Sequence, residues 1–176
     1  MAENEQISAI VAGCKDGDSQ CFLRLIDMYS GRCYGYFYRL TGNRDLSEAL
    51  LDELFTRAAE KIGSFKGSYF EGWLFRIASN IFHDYLRQRQ REKKLLARQR
   101  EQYEEAAPQG LKEENEDIDK LQKKLGQLDD ETRELIMLRF YSEMSFKEIA
   151  DLRGEPIGTT LSKVHRGLKK LRELME

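Results

Sequence analysis

Between Ser145 and Glu173 the chain sets out Lys163, Arg166, Lys169, Lys170 and Arg172 on a stretch with no acid from Ile157 to Arg172. Lysine and arginine bind phosphate as cations, and arginine can also grip a guanine edge through two parallel N–H donors, so this composition suits nucleic acid. Interleaved with the cations, Ile157, Leu161, Val164, Leu168, Leu171 and Leu174 recur at spacings of three and four. That spacing predicts one buried stripe, and hence a helix that is basic on one side only. Just upstream, Phe146, Ile149 and Ala150 give a short helix an apolar edge. Gly154 suits a helix end that needs positive φ, and Pro156 suits the first position of the next helix. A short helix, a glycine-containing turn and a one-sided basic helix make a helix-turn-helix, whose second helix can lie in the DNA major groove. A basic amphipathic helix alone would read as a solvated face; the turn and the preceding helix point to DNA.

A second group of residues could bind unpaired bases. Tyr69, Phe70, Trp73 and Phe75 cluster beside Lys66, Arg76 and Asn80. Aromatic faces stack on bases, worth ~1–3 kcal/mol each, and polar groups can read the edge of an extruded base. Arg87, Arg89 and Arg91 follow along the same helical pattern and suit the phosphate backbone. The competing reading of Trp73, Leu74 and Ile77 is plain core, which leaves Tyr69 and Phe70, near the Gly67 loop, as the better stacking candidates. A third segment, Asp45–Glu60, carries Asp45, Glu48, Asp52, Glu53 and Glu60 against Arg44 and Arg57. Such a helix is poorly suited to DNA and suits a basic protein surface; otherwise it is a solvated face.

The elements that position these groups read as helices throughout. Periodicity starts near Ile7 and breaks at Gly17-Asp18, where Asp18 or Ser19 can cap a helix through Phe22, Leu25, Ile26, Tyr29 and on to Leu40. Thr41-Gly42-Asn43 interrupts it, and Asp45 or Ser47 starts the acidic helix. A break at Gly63–Ser68 precedes a long helix from about Phe70 into the basic run Arg87–Arg100. Glu101–Asp119 then turns strongly acidic around Pro108 and Gly110, as a flexible tether would. Leu121, Leu125 and Leu128 lead to Asp129 or Asp130, either of which can cap a helix Thr132–Phe140. The fold class is therefore all-α: two small helical domains, 1–100 and 118–176, joined by a flexible acidic linker 101–117, the second ending in the helix-turn-helix.

Composition narrows the function. The chain has 176 residues, 34% of them charged, and a net charge of −2, which at first argues against nucleic acid. Segregation of the charge into basic and acidic stretches reverses that inference. No apolar run approaches the ~18 residues of a membrane span, and MAENEQ is no secretory signal, so a cytoplasmic protein with no integral membrane segment is expected. Cys14, Cys21 and Cys33 lack CxxC spacing and read as small buried hydrophobes. His83 and His165 are too scattered for a metal cage, and no nucleophile elbow or phosphate loop is present. No catalytic residue, metal or cofactor is expected, and an enzyme is not.

With both regions laid out, the chain resembles the extracytoplasmic-function (ECF) sigma factors of bacterial RNA polymerase. The C-terminal likeness rests on Leu128, Arg133, Ser145, Glu148-Ile-Ala150, Gly154, Pro156, Gly158-Thr159, Ser162, Arg166 and Leu171-Arg172. The N-terminal one rests on Leu46-Ser-Glu48, Glu53, Phe55, Trp73-Leu74, Arg76-Ile-Ala78, Asn80 and Asp84-Tyr-Leu-Arg87. The resemblance implies promoter-specific initiation, with the −35 element read as duplex by Thr159, Leu161, Ser162, Lys163, His165, Arg166, Lys169 and Lys170. It implies a −10 element opened and held by Lys66, Tyr69, Phe70, Trp73, Arg76, Asn80, Asp84 and Arg87. It also implies core polymerase, through its clamp coiled coil and flap, as partner of Glu48, Leu51, Asp52, Glu53 and Phe55, and an anti-sigma factor as silencer. Ala49, Asp52, Glu155 and Leu161 depart from the residues usual in the group. Two further readings are a plain helix-turn-helix regulator and a sigma-derived interaction protein without productive polymerase binding.

Overall fold

Four of the helices begin at a polar side chain that caps them. In the computed structural model, the backbone is described for residues 2–67, 69–100 and 116–176, and side chains for 5–67, 69–97 and 120–176. Helix α1 spans Ala2–Lys15, α2 Ser19–Thr41, α3 Arg44–Lys61, a 3₁₀ turn Ile62–Ser64, and α4 Phe70–Arg100. After the acidic stretch come α5 Glu116–Leu125, α6 Asp130–Tyr141, α7 Phe146–Arg153 and α8 Ile157–Met175. The regular elements among the described residues are all helical, as the sequence predicts. Glu101–Asn115, most of the expected tether, lies outside the described residues, and α5 starts at Glu116, inside its predicted C-terminal end.

Asp18 caps α2 by accepting the Gln20 N–H at 2.8 Å, and Asp129 caps α6 by accepting that of Thr132 at 2.8 Å. The acidic helix starts one residue earlier than Asp45 and three earlier than Ser47. Asn43 is its cap, accepting the Leu46 N–H at 2.9 Å, while Ser47 is buried and donates its hydroxyl to the Asn43 carbonyl. Each such cap is worth ~1 kcal/mol. At the other end of α2, Gly42 takes the left-handed conformation at φ 66° and its N–H returns to the Tyr38 carbonyl.

Helix α2 is the axis of the fold. Leu25, Tyr29, Cys33, Tyr36, Phe37 and Leu40 form its buried face. Tyr36 meets Phe75 edge-on with ring centres 5.4 Å apart, and Tyr29 meets Phe70 at 5.5 Å. The apolar core runs without interruption from α1 through α4 into α6 and α8. Contact between the N-terminal helices and α6 requires Gly35. A Cβ there would come within 2.5 Å of Tyr141 Cε1, so the Tyr141 ring lies directly on the α2 backbone.

The thiols follow this burial. Cys33 is fully buried, and loss of solvation pushes it up to about 12. Cys14 is also buried and raised by burial, while the partly exposed Cys21 donates to Asp18 at 3.3 Å and is raised by that bond. Only the thiolate alkylates quickly. Iodoacetamide at neutral pH should therefore label Cys21 first and Cys33 only after denaturant unfolds the chain. Mass spectrometry showing early Cys33 labelling would contradict this packing.

Candidate nucleic-acid interface

The turn between α7 and α8 is built from local chemistry. Ser145 accepts the Glu148 N–H at 3.2 Å while the Glu148 carboxylate accepts the Ser145 N–H at 2.8 Å, a reciprocal capping box. Gly154 ends α7 in the left-handed region at φ 65°, as its place in the sequence predicts. Pro156 is the cap residue of α8 at ψ 141°, one position before the first helical residue where the sequence places it.

The rotation of α8 differs from the predicted stripe. Its buried face is Thr160, Val164 and Gly167, with Leu168, Leu171 and Leu174 partly buried. Ile157 and Leu161, predicted for that stripe, are 50% and 48% exposed. Gly167 sets the rotation: a Cβ there would stand 2.4 Å from Thr132 Cγ2 and 3.0 Å from Ile136 Cδ1, so α6 packs onto bare backbone at this point. The outward face therefore carries Ile157, Thr159, Leu161, Ser162, His165, Arg166, Lys169 and Lys170. Ser162 donates to the Gly158 carbonyl at 2.7 Å, and Arg166 Nε donates to the Ser162 carbonyl at 3.3 Å.

Lys163 belongs to a different arrangement. Its ammonium donates to Glu131 at 2.8 Å and to Glu155 at 2.6 Å, and Thr160 donates to Glu155 at 2.6 Å. In this structure it clamps α8 to α6 and to the turn instead of facing outward. Hydrogen bonds from Lys163 and Arg153 hold Glu131 below the usual carboxylate range. For Glu155, burial pushes upward but Lys163 and Thr160 bring it below that range. Carboxylates lowered by folding stabilise the fold above their unfolded value of 4.5, and that contribution disappears as pH falls through the lower folded values. The denaturation midpoint should thus fall below about pH 4.5. Glu155→Gln should flatten that limb; an unchanged limb would remove Glu155 from the clamp.

The second predicted region surrounds the start of α4. Tyr69 is 38% exposed, its ring lies over Gly72, and its hydroxyl donates to the Ser142 carbonyl at 2.9 Å. Burial and Glu148 push this phenol up to about 12. Phe70, predicted to stack on bases, instead belongs to the core. It is 4% exposed among Tyr29, Phe65 and Trp73, because the aromatic cluster offers it more apolar contact than the loop does. Trp73 is half-buried against Phe65 at 5.3 Å, and Lys66, Arg76 and Asn80 are exposed. Lys66, Tyr69, Trp73 and Arg76 line a cleft of about 480 Å³, closed on its other side by Met144, Glu148 and Asp151.

Farther along α4, Asp84 pairs with Arg57 of α3 at 3.3 Å and with Arg87, and the Arg87 hydrogen bond leads in holding it below the usual range. On α3, Glu48 and Asp52 face outward, and Leu51 and Glu53 are half-buried. Phe55 is 8% exposed and edge-on to Phe22, so it supports the helix from within and does not present a surface. Among the described residues, no cluster of three or more His, Cys, Asp or Glu is placed to hold a metal, and no helix is long and apolar enough to cross a membrane.

A polar seam between the two halves escaped the sequence reading. Glu134 of α6 is fully buried and accepts from Tyr36 at 3.2 Å and from Ser79 at 2.6 Å. Its other oxygen meets Arg153 at 3.0 Å and His83 at 2.9 Å. Arg32 donates to the Tyr141 carbonyl at 3.0 and 2.7 Å and pairs with Glu71 at 3.0 Å. Arg133 donates to the Leu40 carbonyl at 2.8 Å. The one local signal was an acid set directly against the apolar run Leu135–Leu138.

An outward basic helix closing a helix-turn-helix, and an aromatic–basic cleft on a separate part of one helical chain, are the features of a DNA-binding protein. Comparison with known proteins gives the family. Residues 25–92 match the Sigma-70 region 2 model and residues 125–173 match Sigma-70, region 4. ECF RNA polymerase sigma factor SigW of Bacillus subtilis is 31% identical over 170 residues, covering 90% of this chain and 91% of that one. RNA polymerase sigma factor CarQ of Myxococcus xanthus is 31% identical over 169 residues, with 92% of each chain covered. The sigma factor RpoE of Bartonella quintana, solved with the anti-sigma factor NepR, superposes with a TM-score of 0.70 at 28% identity over 88% of this chain and 96% of that one. This chain belongs to the ECF sigma factors of the sigma-70 family. It is a promoter-specificity factor for RNA polymerase and not a plain helix-turn-helix regulator.

Proposed function

We propose that the outward face of α8 reads −35 duplex, that the Lys66–Asn80 cleft holds opened −10 DNA, and that α3 meets the polymerase clamp. The observation that carries this reading is the fixed rotation of α8. Lys163, Gly167 and Val164 lock one face, so Leu161, Ser162, His165, Arg166, Lys169 and Lys170 share the other. Arg166 reads a base edge, Ser162 and His165 are shorter-range readers, and Thr159 adds a hydroxyl at the helix start. Lys169 and Lys170 meet phosphates, as does Lys163 if the clamp releases it. In the cleft Tyr69 and Trp73 stack on bases while Lys66 and Arg76 hold the strand, and Asn80 and Arg87 meet it farther along α4; Asp84 orients Arg57 and Arg87.

Glu48, Asp52 and Glu53, with Leu51 at their edge, form the polymerase-facing surface, and Phe55 supports it from beneath. The polymerase flap is the counterpart of the C-terminal domain. Residues 1–100 and 118–176 act as the two domains and 101–117 as their tether. The protein works in the cytoplasm and performs no catalysis of its own, RNA synthesis belonging to the polymerase. The RpoE–NepR complex supports a proteinaceous anti-sigma partner here. Multi-round transcription with purified core polymerase on a promoter library tests the reading. It should yield initiation from a narrow set of promoters with two shared elements; absence of both core binding and selective initiation would end it.

A further inference from the structure

The clamp around Lys163 draws a cation away from the side of α8 on which its backbone stands. Lys163 comes one helical turn after Thr159, three residues before Arg166 and seven before Lys170, so its Cα runs in line with those outward residues. Its side chain bends back instead, with the ammonium 2.6 Å from Glu155 and 2.8 Å from Glu131. The two carboxylates are unequal holders. The Glu131 side chain is 46% exposed and offers Lys163 the same oxygen that Arg153 already meets at 3.0 Å, and an exposed ion pair adds little in water. The Glu155 side chain is 14% exposed and has a partner for each oxygen, Thr160 on one and Lys163 on the other. Thr160 is itself fully buried, so the carboxylate that grips Lys163 is fixed from beneath.

Glu155 stands in the turn two residues before α8 begins, and through the ammonium it holds it governs how many cations that helix presents. Resting on the reading above that α8 meets −35 duplex, we propose that Glu155 sets the affinity of α8 for DNA by withholding Lys163 from the phosphate backbone. Glu155 is a positioning residue: it acts on DNA through the lysine. A lysine on a phosphate strengthens binding to every sequence alike. Holding it back therefore lowers affinity uniformly, and the base contacts of Ser162, His165 and Arg166 become a larger share of what remains. Each phosphate that is neutralised releases counterions, so the withheld cation also makes binding less sensitive to salt.

The test measures anisotropy of the full chain on two duplexes, the −35 sequence obtained from the transcription experiment and an unrelated one, across a range of salt. Glu155→Gln should steepen the slope of log affinity against log salt by about 0.9 on both, which is about 3.5-fold more affinity lost between about 50 and 200 mM salt. The ratio between the two duplexes should not change. Adding Lys163→Met to Glu155→Gln should return the slope to the parent value. Glu131→Gln makes the same charge change beside the same lysine, yet should leave the slope as it was, because Glu155 still holds Lys163. Circular dichroism checks the fold, and should Glu155→Gln lose helix content, Glu155→Ala is read in its place. An unchanged slope in the folded Glu155 variant overturns the proposal. Equal steepening by Glu131→Gln also overturns it, since simple repulsion of DNA by either acid would then suffice. If no chain prefers the −35 duplex but Glu155→Gln still steepens the slope on both, the −35 reading fails while the withheld lysine stands.

Discussion

Valine at Gly167 should unseat the recognition helix and remove −35 duplex binding. The Cβ alone would lie 2.4 Å from Thr132 Cγ2 and 3.0 Å from Ile136 Cδ1, and valine adds two methyls beyond it. Thr132 cannot retreat freely, because its N–H is held by Asp129 at the start of α6. Ile136 is 1% exposed and closely packed. Overpacking of this kind costs ~1–3 kcal/mol. Because α8 is also tied at Lys163, the strain rotates the helix and misaligns its outward face. Gly158→Ala is the informative contrast. Nothing lies within 4 Å of a Cβ at that position, so the substitution should leave folding intact or raise the melting temperature through better helix propensity. Thermal melts and duplex anisotropy of the two variants should diverge; matching behaviour would show that the α6–α8 contact does not set the helix.

Arg166→Ala should relax sequence choice, while Lys169→Ala should weaken every sequence alike. Arg166 is exposed, and its Nε is engaged with the Ser162 carbonyl, which directs the remaining guanidinium N–H groups outward. Bidentate arginine–guanine contact is worth ~1–3 kcal/mol of discrimination, so the ratio between best and mismatched −35 duplexes should shrink by about 5- to 150-fold. Lys169 is exposed, and its ammonium lies 3.9 Å from Glu173. Its loss should reduce the slope of log affinity against log salt by about one without reordering the sequences. Anisotropy on a panel of mutated −35 duplexes at two salt concentrations separates the two roles. Equal discrimination before and after Arg166→Ala would remove it from base reading.

Local chemistry explains what was legible in the sequence. Asp18, Asp129 and Gly154 perform the capping and turn roles their places in the sequence predict because those depend on residues two to four positions away. The helix-turn-helix was therefore visible across Ser145 to Glu173. The rotation of α8 was not, since Ile157 and Leu161 fit an apolar stripe until Gly167 brings α6 against another face. Phe70 and Phe55 were misplaced for a related reason. Each borders residues suited to a surface role, and only the aromatic neighbours supplied by other helices draw them inward. Least legible was the Glu134 seam, whose Tyr36 partner lies 98 residues away. No periodicity links such positions.

Helix α4 runs for 31 residues, about 46 Å, yet its packing ends near Leu86. From Arg87 to Ala97 every side chain is exposed, and support comes from along the helix itself, such as Gln88 to Glu92 at 3.0 Å. Arg87, Arg89, Arg91, Lys93 and Lys94 repel one another there, and dissolved salt or a polyanion relieves that repulsion. Helix content should accordingly climb with ionic strength in circular dichroism, and a flat response would deny it. The far end of α4 thus behaves as an electrolyte gauge, a rod that lengthens where counter-charge is dense and frays back where it is dilute.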